Sequence, residues 1–184
     1  LAASLEVDLA SAAELAGSVV RSFGLDTIDT QKVVDVMSLS TSASALNFEA
    51  LRESIKVVAP AARATNVSIE KTAALLGVLA NNGLKGSVAG TGLSKTFIEL
   101  NKKGITLEEG MEKIKNSTNK LNTAIDLVGV VGAKSFLSLA ESGEQINQLE
   151  KDFEGAEGAA KRMAEVRLDN LTGDTTKLSS AWEG

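Results

Sequence analysis

The sequence contains no cysteine, no histidine and no tyrosine among its 184 residues. Without thiol and imidazole groups, the chain lacks two common classes of nucleophile and general base, and also the soft ligands of transition-metal sites. Aromatic residues make up only 3% of the chain. A core of small and aliphatic side chains suits close helix packing better than a β-sandwich. We therefore expect no catalytic residue, no cofactor and no metal.

Positive charge and long hydrophobic runs are also scarce. The formal net charge is −5, and nonspecific nucleic-acid binding depends on clustered Lys and Arg, so we expect no specific nucleic-acid site. The longest uncharged runs, Val36–Phe48 and Thr72–Leu84, have 13 residues each. An ordinary membrane span needs roughly 18. Because the chain begins at Leu1 without Met or a leader pattern, we expect a piece of a longer protein.

Apolar residues recur at helical spacing through most of the chain, whereas alternating runs typical of strands are short. One stripe comprises Leu51, Ile55, Val58 and Ala62. Good capping residues, Asn47 and Ser68, precede two of the predicted helices. The pattern predicts an all-α fold without a sheet, in which residues 1–184 form a single compact bundle of about eight helices. The predicted helices are 5–23, 30–45, 47–64, 68–82, 87–101, 107–128, 130–142 and 144–182, the last with a break near 155–158.

Two features of this pattern need a specific explanation. Pro60 lies inside the third predicted helix and should kink or split it, since its ring removes a donor and clashes with the carbonyl of Lys56. The segment LANNGLKGSVAGTGLSKTF, residues 79–97, is unusually rich in glycine. Its glycines either cradle a phosphate or let two helices approach closely.

The phosphate interpretation fails on the spacing. A phosphate-binding loop, G-x-x-x-x-G-K-[ST], has Lys directly after its last glycine, whereas Ser87 follows Gly86 here. The dinucleotide pattern, G-x-G-x-x-G, follows a strand, and Lys95 occupies the position of its third glycine here. The alternative is a helix contact, in which small residues line a groove facing a neighbour. We expect Gly83 to end one helix, Gly86 to form the turn and Ser87 to cap the next helix. Together with Pro60, the structural candidates are Gly83, Gly86, Ser87, Gly90 and Gly92.

The remaining charged clusters are expected to be solvated helix faces, because charged side chains prefer water. Neither the carboxylates nor the lysines match a metal-binding or nucleic-acid motif. Trp182 is expected to pack against a partner beyond residue 184. The clusters are Glu108–Glu109–Glu112, Glu150–Asp152–Glu154, Glu165–Asp169–Asp174, Lys102–Lys103 and Lys113–Lys115–Lys120.

Four motifs follow one another between residues 50 and 100: VAPAA at 58–62, S-x-E at 68–70 before an Ala-Leu-rich helix, NGLKGS at 82–87 and AGTGL at 89–93. In order and spacing these anchors resemble the signature of phage tail tape measure proteins. The resemblance extends over most of the chain. It divides the single domain into signature helices, residues 1–128, and Gly/Ala-rich trailing helices, residues 129–184.

The resemblance implies a structural protein that lies in the lumen of the growing tail tube, sets its length and leaves ahead of the genome at infection. Its implied partners are the tail tube protein, tail assembly chaperones, tail tip or hub proteins and further copies of itself. The implied locations are the virion and, during assembly, the host bacterial cytoplasm. Two alternatives stay open: a membrane-active helical module that contacts the host membrane during genome delivery, and a generic helical scaffold or adaptor.

Overall fold

The computed structural model describes residues 8–170, and that part of the chain consists of helices and connections without a strand. The all-α prediction is therefore confirmed. The elements are α1 (Leu9–Phe23), a 3₁₀ turn (Thr27–Asp29), α2 (Thr30–Ser42), α3 (Phe48–Ala64), α4 (Ile69–Asn81), α5 (Gly86–Lys102), α6 (Leu107–Lys115), α7 (Lys120–Ala140), α8 (Gly143–Glu154) and α9 (159–170).

Side-chain caps determine where several helices begin. The side chain of Asn47 accepts the backbone N–H of Ala50 at 2.8 Å, and that of Ser68 accepts the N–H of Lys71 at 3.1 Å. Both caps were predicted from the sequence. Each bond satisfies a donor that the first helical turn would otherwise leave unpaired.

Glycines with positive φ follow several of the helices, and Gly83 was predicted to do so. After α4, Gly83 adopts φ 81°, and the backbone N–H of Leu84 donates to the carbonyl of Leu79. After α5, Gly104 adopts φ 63°, and the N–H of Ile105 donates to the carbonyl of Leu100. Glycine enters this left-handed region without the steric cost that a Cβ brings. The chain can therefore reverse direction within a few residues.

Helix α4 lies at the centre of the bundle. Every residue from Thr72 to Ala80 is buried, and the helix packs against α2, α3, α5, α7 and α8. A helix that is apolar on all sides must be enclosed in this way. The buried side chains form a hydrophobic cluster that extends from Leu15 in α1 to Ala159.

Pro60 neither splits nor ends its helix, so of the two expected effects the split does not occur and the kink stays a prediction. Helix α3 runs from Phe48 to Ala64 with Pro60 inside it. Both Pro60 and Lys56, whose carbonyl loses its helical donor, are exposed. Since water can hydrogen-bond a carbonyl on that side of the helix, the missing bond does not break the structure.

Two other local predictions were also wrong. Ser87 does not cap α5, because the helix already begins at Gly86 and Lys85 occupies the cap position without a side-chain bond. The predicted helix 107–128 is two helices, α6 and the first half of α7. Asn119 caps the second of them by accepting the N–H of Asn122 at 3.1 Å, which starts a new helix after the polar residues 116–119.

Helix α7 is interrupted at Gly129, whose φ of 74° and ψ of 168° are not helical. Within residues 8–170, α7 is the one helix long and apolar enough to cross a membrane, and half of its most apolar window is buried. Its sequence contains no long uncharged run, because Asp126 and Lys134 interrupt it. With the break at Gly129, neither half approaches the ~20 residues of a span.

Candidate functional site

The glycine-rich helix α5 packs most extensively against α3 on one side and α7 on another. At Gly90 the contact with α3 is made by backbone atoms. A Cβ added to Gly90 would lie 2.6 Å from the carbonyl oxygen of Ser54 and 3.1 Å from Cβ of Val57. The first distance is shorter than real Cβ contacts and the second is tighter than most of them, so a larger residue here would push the two helices apart.

Gly92 makes the corresponding contact with α7. A Cβ added to Gly92 would lie 2.8 Å from Cβ of Ser135. Residues two positions apart on a helix point about 200° away from each other, because each residue advances roughly 100°. Gly90 and Gly92 therefore open opposite sides of α5, and the helix fits between α3 and α7.

A buried hydroxyl joins α3 to the start of α5. Ser54, which is fully buried, shares its single hydroxyl proton between two backbone carbonyl oxygens, that of Ala50 at 2.7 Å and that of Gly86 at 2.8 Å. Gly86 adopts φ 60°, and an added Cβ would lie 2.5 Å from a carboxylate oxygen of Glu53. The NGLKGS anchor thus places a backbone carbonyl where α3 can bind it.

A second cluster surrounds Lys71 on α4. Its ammonium group lies 2.6 Å from Glu150 on α8 and 3.2 Å from Glu108 on α6. Burial opposes the charge of Lys71, but the hydrogen bonds and charges of these two carboxylates outweigh it and raise the pKa of Lys71. The cluster borders a groove of about 520 Å³ that is also lined by Phe97 and Asn66.

The prediction that Glu150 belongs to a solvated face was wrong, because only 24% of its side chain is exposed.

Two further carboxylates are buried: Glu70, which the sequence showed only as part of the S-x-E anchor, and Asp35, which was not singled out. Glu70 pairs with Lys32 of α2 at 2.5 Å, while only 6% of its own side chain is exposed. Asp35, in α2, accepts the backbone N–H groups of Gly158 at 3.0 Å and Ala160 at 2.9 Å. A signal for Asp35 existed, since it is a single charge within the apolar run Val33–Met37.

The other sequence candidates stay apart from these clusters. The lysines expected on a solvated face are exposed, and Lys102 and Lys120 pair with Glu99 and Glu141. Within residues 8–170 no three acidic residues lie close enough to hold a metal ion. The expectations for Asp174 and Trp182 lie outside the described residues.

The arrangement is that of a packing module, in which close backbone contacts and a few buried polar bonds fix the order of the helices. The model of a family described as phage-related minor tail proteins matches residues 1–181. The chain therefore belongs to this family of phage tail proteins.

Two curated relatives are tape measure proteins by name. The chain is 29% identical over 211 residues to the tape measure protein of Pneumococcus phage Dp-1. This alignment covers 100% of this chain and 18% of the Dp-1 protein. The chain is 27% identical over 192 residues to the probable tape measure protein of Escherichia phage P2, covering 88% of this chain and 24% of that protein. The chain thus spans less than a quarter of either relative's length, and the resemblance seen in the signature is confirmed. No solved structure matches it significantly.

Proposed function

We propose that this chain is a segment of a tape measure protein and that it contributes to the length of a phage tail. The observation that carries the proposal is the alignment of the whole chain with the tape measure protein of phage Dp-1. The role is structural, so no residue acts on a substrate. The all-α fold fits it, because a helix gives a fixed rise of about 1.5 Å for each residue.

A ruler inside a narrow tube must be long, whereas the described fold buries its apolar side chains in a compact bundle. As one continuous helix, 184 residues would span roughly 280 Å; as a compact domain they would be only about 40 Å across. We infer that the bundle is the form of the isolated segment. Its helices separate, or pair between copies, when the tail tube assembles around it.

The proposed location is the lumen of the tail tube, with the host cytoplasm as the site of assembly. The proposed partners are the tail tube protein, tail assembly chaperones, tail tip or hub proteins and further copies of the chain. The apolar surfaces that α4 and α5 bury in the bundle would become available to these partners once the helices separate.

An in-frame deletion tests the proposal in the complete phage. Residues 68–101, which include α4 and most of α5, are removed from the tape measure gene, and tails are measured by electron microscopy. We expect tails shorter by about 50 Å, since 34 deleted residues at 1.5 Å each would no longer contribute. Tails of unchanged length on assembled particles would remove this segment from the ruler.

A second candidate function is contact with a lipid membrane, and the apolar composition of α7 favours it. Val130 and Val131 are 75% and 60% exposed beside Gly129, so part of this helix is already accessible. Dye release from lipid vesicles by the purified chain is the test. Release that falls when Val130 and Val131 are replaced by Asn would favour this function, and no release from any vesicle would exclude it for the isolated chain.

A further inference from the structure

The backbone of Gly129 separates α7 into two helices, Lys120–Val128 and Val130–Ala140. Its φ of 74° and ψ of 168° fall in a region that is essentially restricted to glycine. The residues on both sides have helical geometry. The backbone angles of a single residue, Gly129, therefore make the difference between the bent α7 and one continuous helix.

The space into which a Cβ of Gly129 would project is open. A Cβ added to Gly129 would meet no heavy atom within 4 Å, and the next two residues, Val130 and Val131, are mostly exposed. An alanine at this position would thus find room in the bundle. Its only penalty would come from the backbone angles, so the substitution reports on backbone geometry alone.

The two halves are held in the bundle by different contacts. In the second half, Ser135 lies against Gly92 of α5, and the ring of Phe136 lies 2.7 Å from the position that a Cβ on Gly110 of α6 would occupy. In the first half, Ala124, Leu127 and Val128 are buried. Each half can keep its internal hydrogen bonds while the angle between them changes.

We propose that Gly129 is a hinge, at which α7 changes between two short helices in the bundle and one continuous helix of Lys120–Ala140. The continuous form is about 30 Å long. The hinge would convert part of the compact bundle into an extended rod without breaking the internal hydrogen bonds of either half. The proposal depends on the backbone at Gly129 and holds whether or not the segment sets tail length.

The test is a distance measurement across the bend in the 184-residue chain. Because the sequence contains no cysteine, the exposed residues Asn122 and Lys134 can be replaced by Cys and carry a pair of spin labels. In a continuous helix their Cα atoms lie about 18 Å apart. Gly129→Ala disfavours the bent form and favours the helix. We expect the ratio of continuous to bent α7 to rise at least about tenfold.

Gly104→Ala is the matched control. Gly104 also has positive φ, 63°, and no heavy atom within 4 Å of an added Cβ, but it lies in the turn between α5 and α6. This variant should lose stability without changing the distance between the labels. A folded Gly129→Ala chain that keeps the wild-type distance would overturn the proposal.

If Gly129→Ala gives no cooperative thermal transition, the hinge is tested by measuring the label distance in the spin-labelled wild-type chain. Trifluoroethanol stabilises helices, so low concentrations should move the label distance to about 18 Å before tertiary structure is lost, if Gly129 is a hinge. A distance that stays constant until the cooperative transition would show that the bundle fixes the bend, and the proposal would be wrong.

Discussion

The carboxylate of Asp35 accepts the backbone N–H of Ala160 at 2.9 Å, although 125 residues separate them in the sequence. The other oxygen of Asp35 accepts the N–H of Gly158 at 3.0 Å. Since Asp35 is 1% exposed, these bonds pair a buried charge with the free donors at the start of α9. One side chain in α2 thus fixes the place of the last described helix.

We predict that Asp35→Asn destabilises the chain by about 1–3 kcal/mol. The side-chain NH₂ group of Asn cannot accept a hydrogen bond, so one of the two backbone N–H groups would lose its acceptor. Urea denaturation gives the free energy of unfolding. Hydrogen exchange should show the largest loss of protection in residues 158–170. Asp126→Asn, which changes an exposed charge on α7, is the control and should have little effect. Equal protection of residues 158–170 in the wild type and the Asp35 variant would contradict the assignment.

Gly90→Leu should destabilise the fold by about 1–3 kcal/mol through overpacking. The reason is the backbone of Ser54, which lies 2.6 Å from the position of an added Cβ and cannot rotate away as a side chain can. The matched control is Thr91→Leu, because Thr91 is the next residue of α5 and is exposed. Denaturation midpoints are compared. If both variants match the wild type, Gly90 is not a required helix contact.

Lys71 gives the chain a pH dependence on the alkaline side. Because the pKa of Lys71 is raised in the folded state by Glu150 and Glu108, its contribution to stability is complete below the unfolded pKa of about 10.4. It is lost as the pH rises through the folded value. Thermal melts between about pH 9 and pH 12 should fall more steeply for the wild type than for Lys71→Gln.

Lys134→Gln is the control for this pH profile, since Lys134 is exposed on α7. The chain has no tyrosine or cysteine, so lysines are the side chains that titrate in this pH range, and each of the two variants removes one of them. Parallel profiles for the wild type and Lys71→Gln would show that the ion pairs do not stabilise the fold.

Magnesium and nucleotides should leave the melting temperature unchanged. The glycine spacing at residues 83–92 does not match a phosphate-binding loop, and α5 uses Gly90 and Gly92 for contacts with other helices. A ligand that binds only the folded state raises its stability by mass action. Thermal melts with and without MgATP check this, and a rise of several degrees would reveal a binding site.

The helices with strong local signals were predictable from the sequence. For α3 and α4, an apolar stripe at helical spacing follows a good cap, Asn47 or Ser68, and all these interactions lie within a few residues. The break after α6 was missed because its signal is weak. The polar residues 116–119 contain no glycine or proline, and such a run also occurs on solvated helix faces.

The polar bonds between distant elements could not be predicted. In the sequence, Ser54 is an ordinary serine beside an apolar stripe. Only the fold places the carbonyl of Gly86 within 2.8 Å of its hydroxyl. The pairs of Asp35 and Lys71 likewise depend on which helices become neighbours. One sequence contains the periodicity of each helix, but not the order in which helices pack.

The most direct test of the account is a duplication of residues 68–101 in the tape measure gene of the complete phage, followed by electron microscopy of the tails. If this segment contributes to tail length as extended helix, the added 34 residues lengthen the tail by about 50 Å. A second variant, in which an unrelated helical sequence of the same length replaces the duplicate, should give the same increase. Assembled tails of wild-type length from both variants would contradict the account.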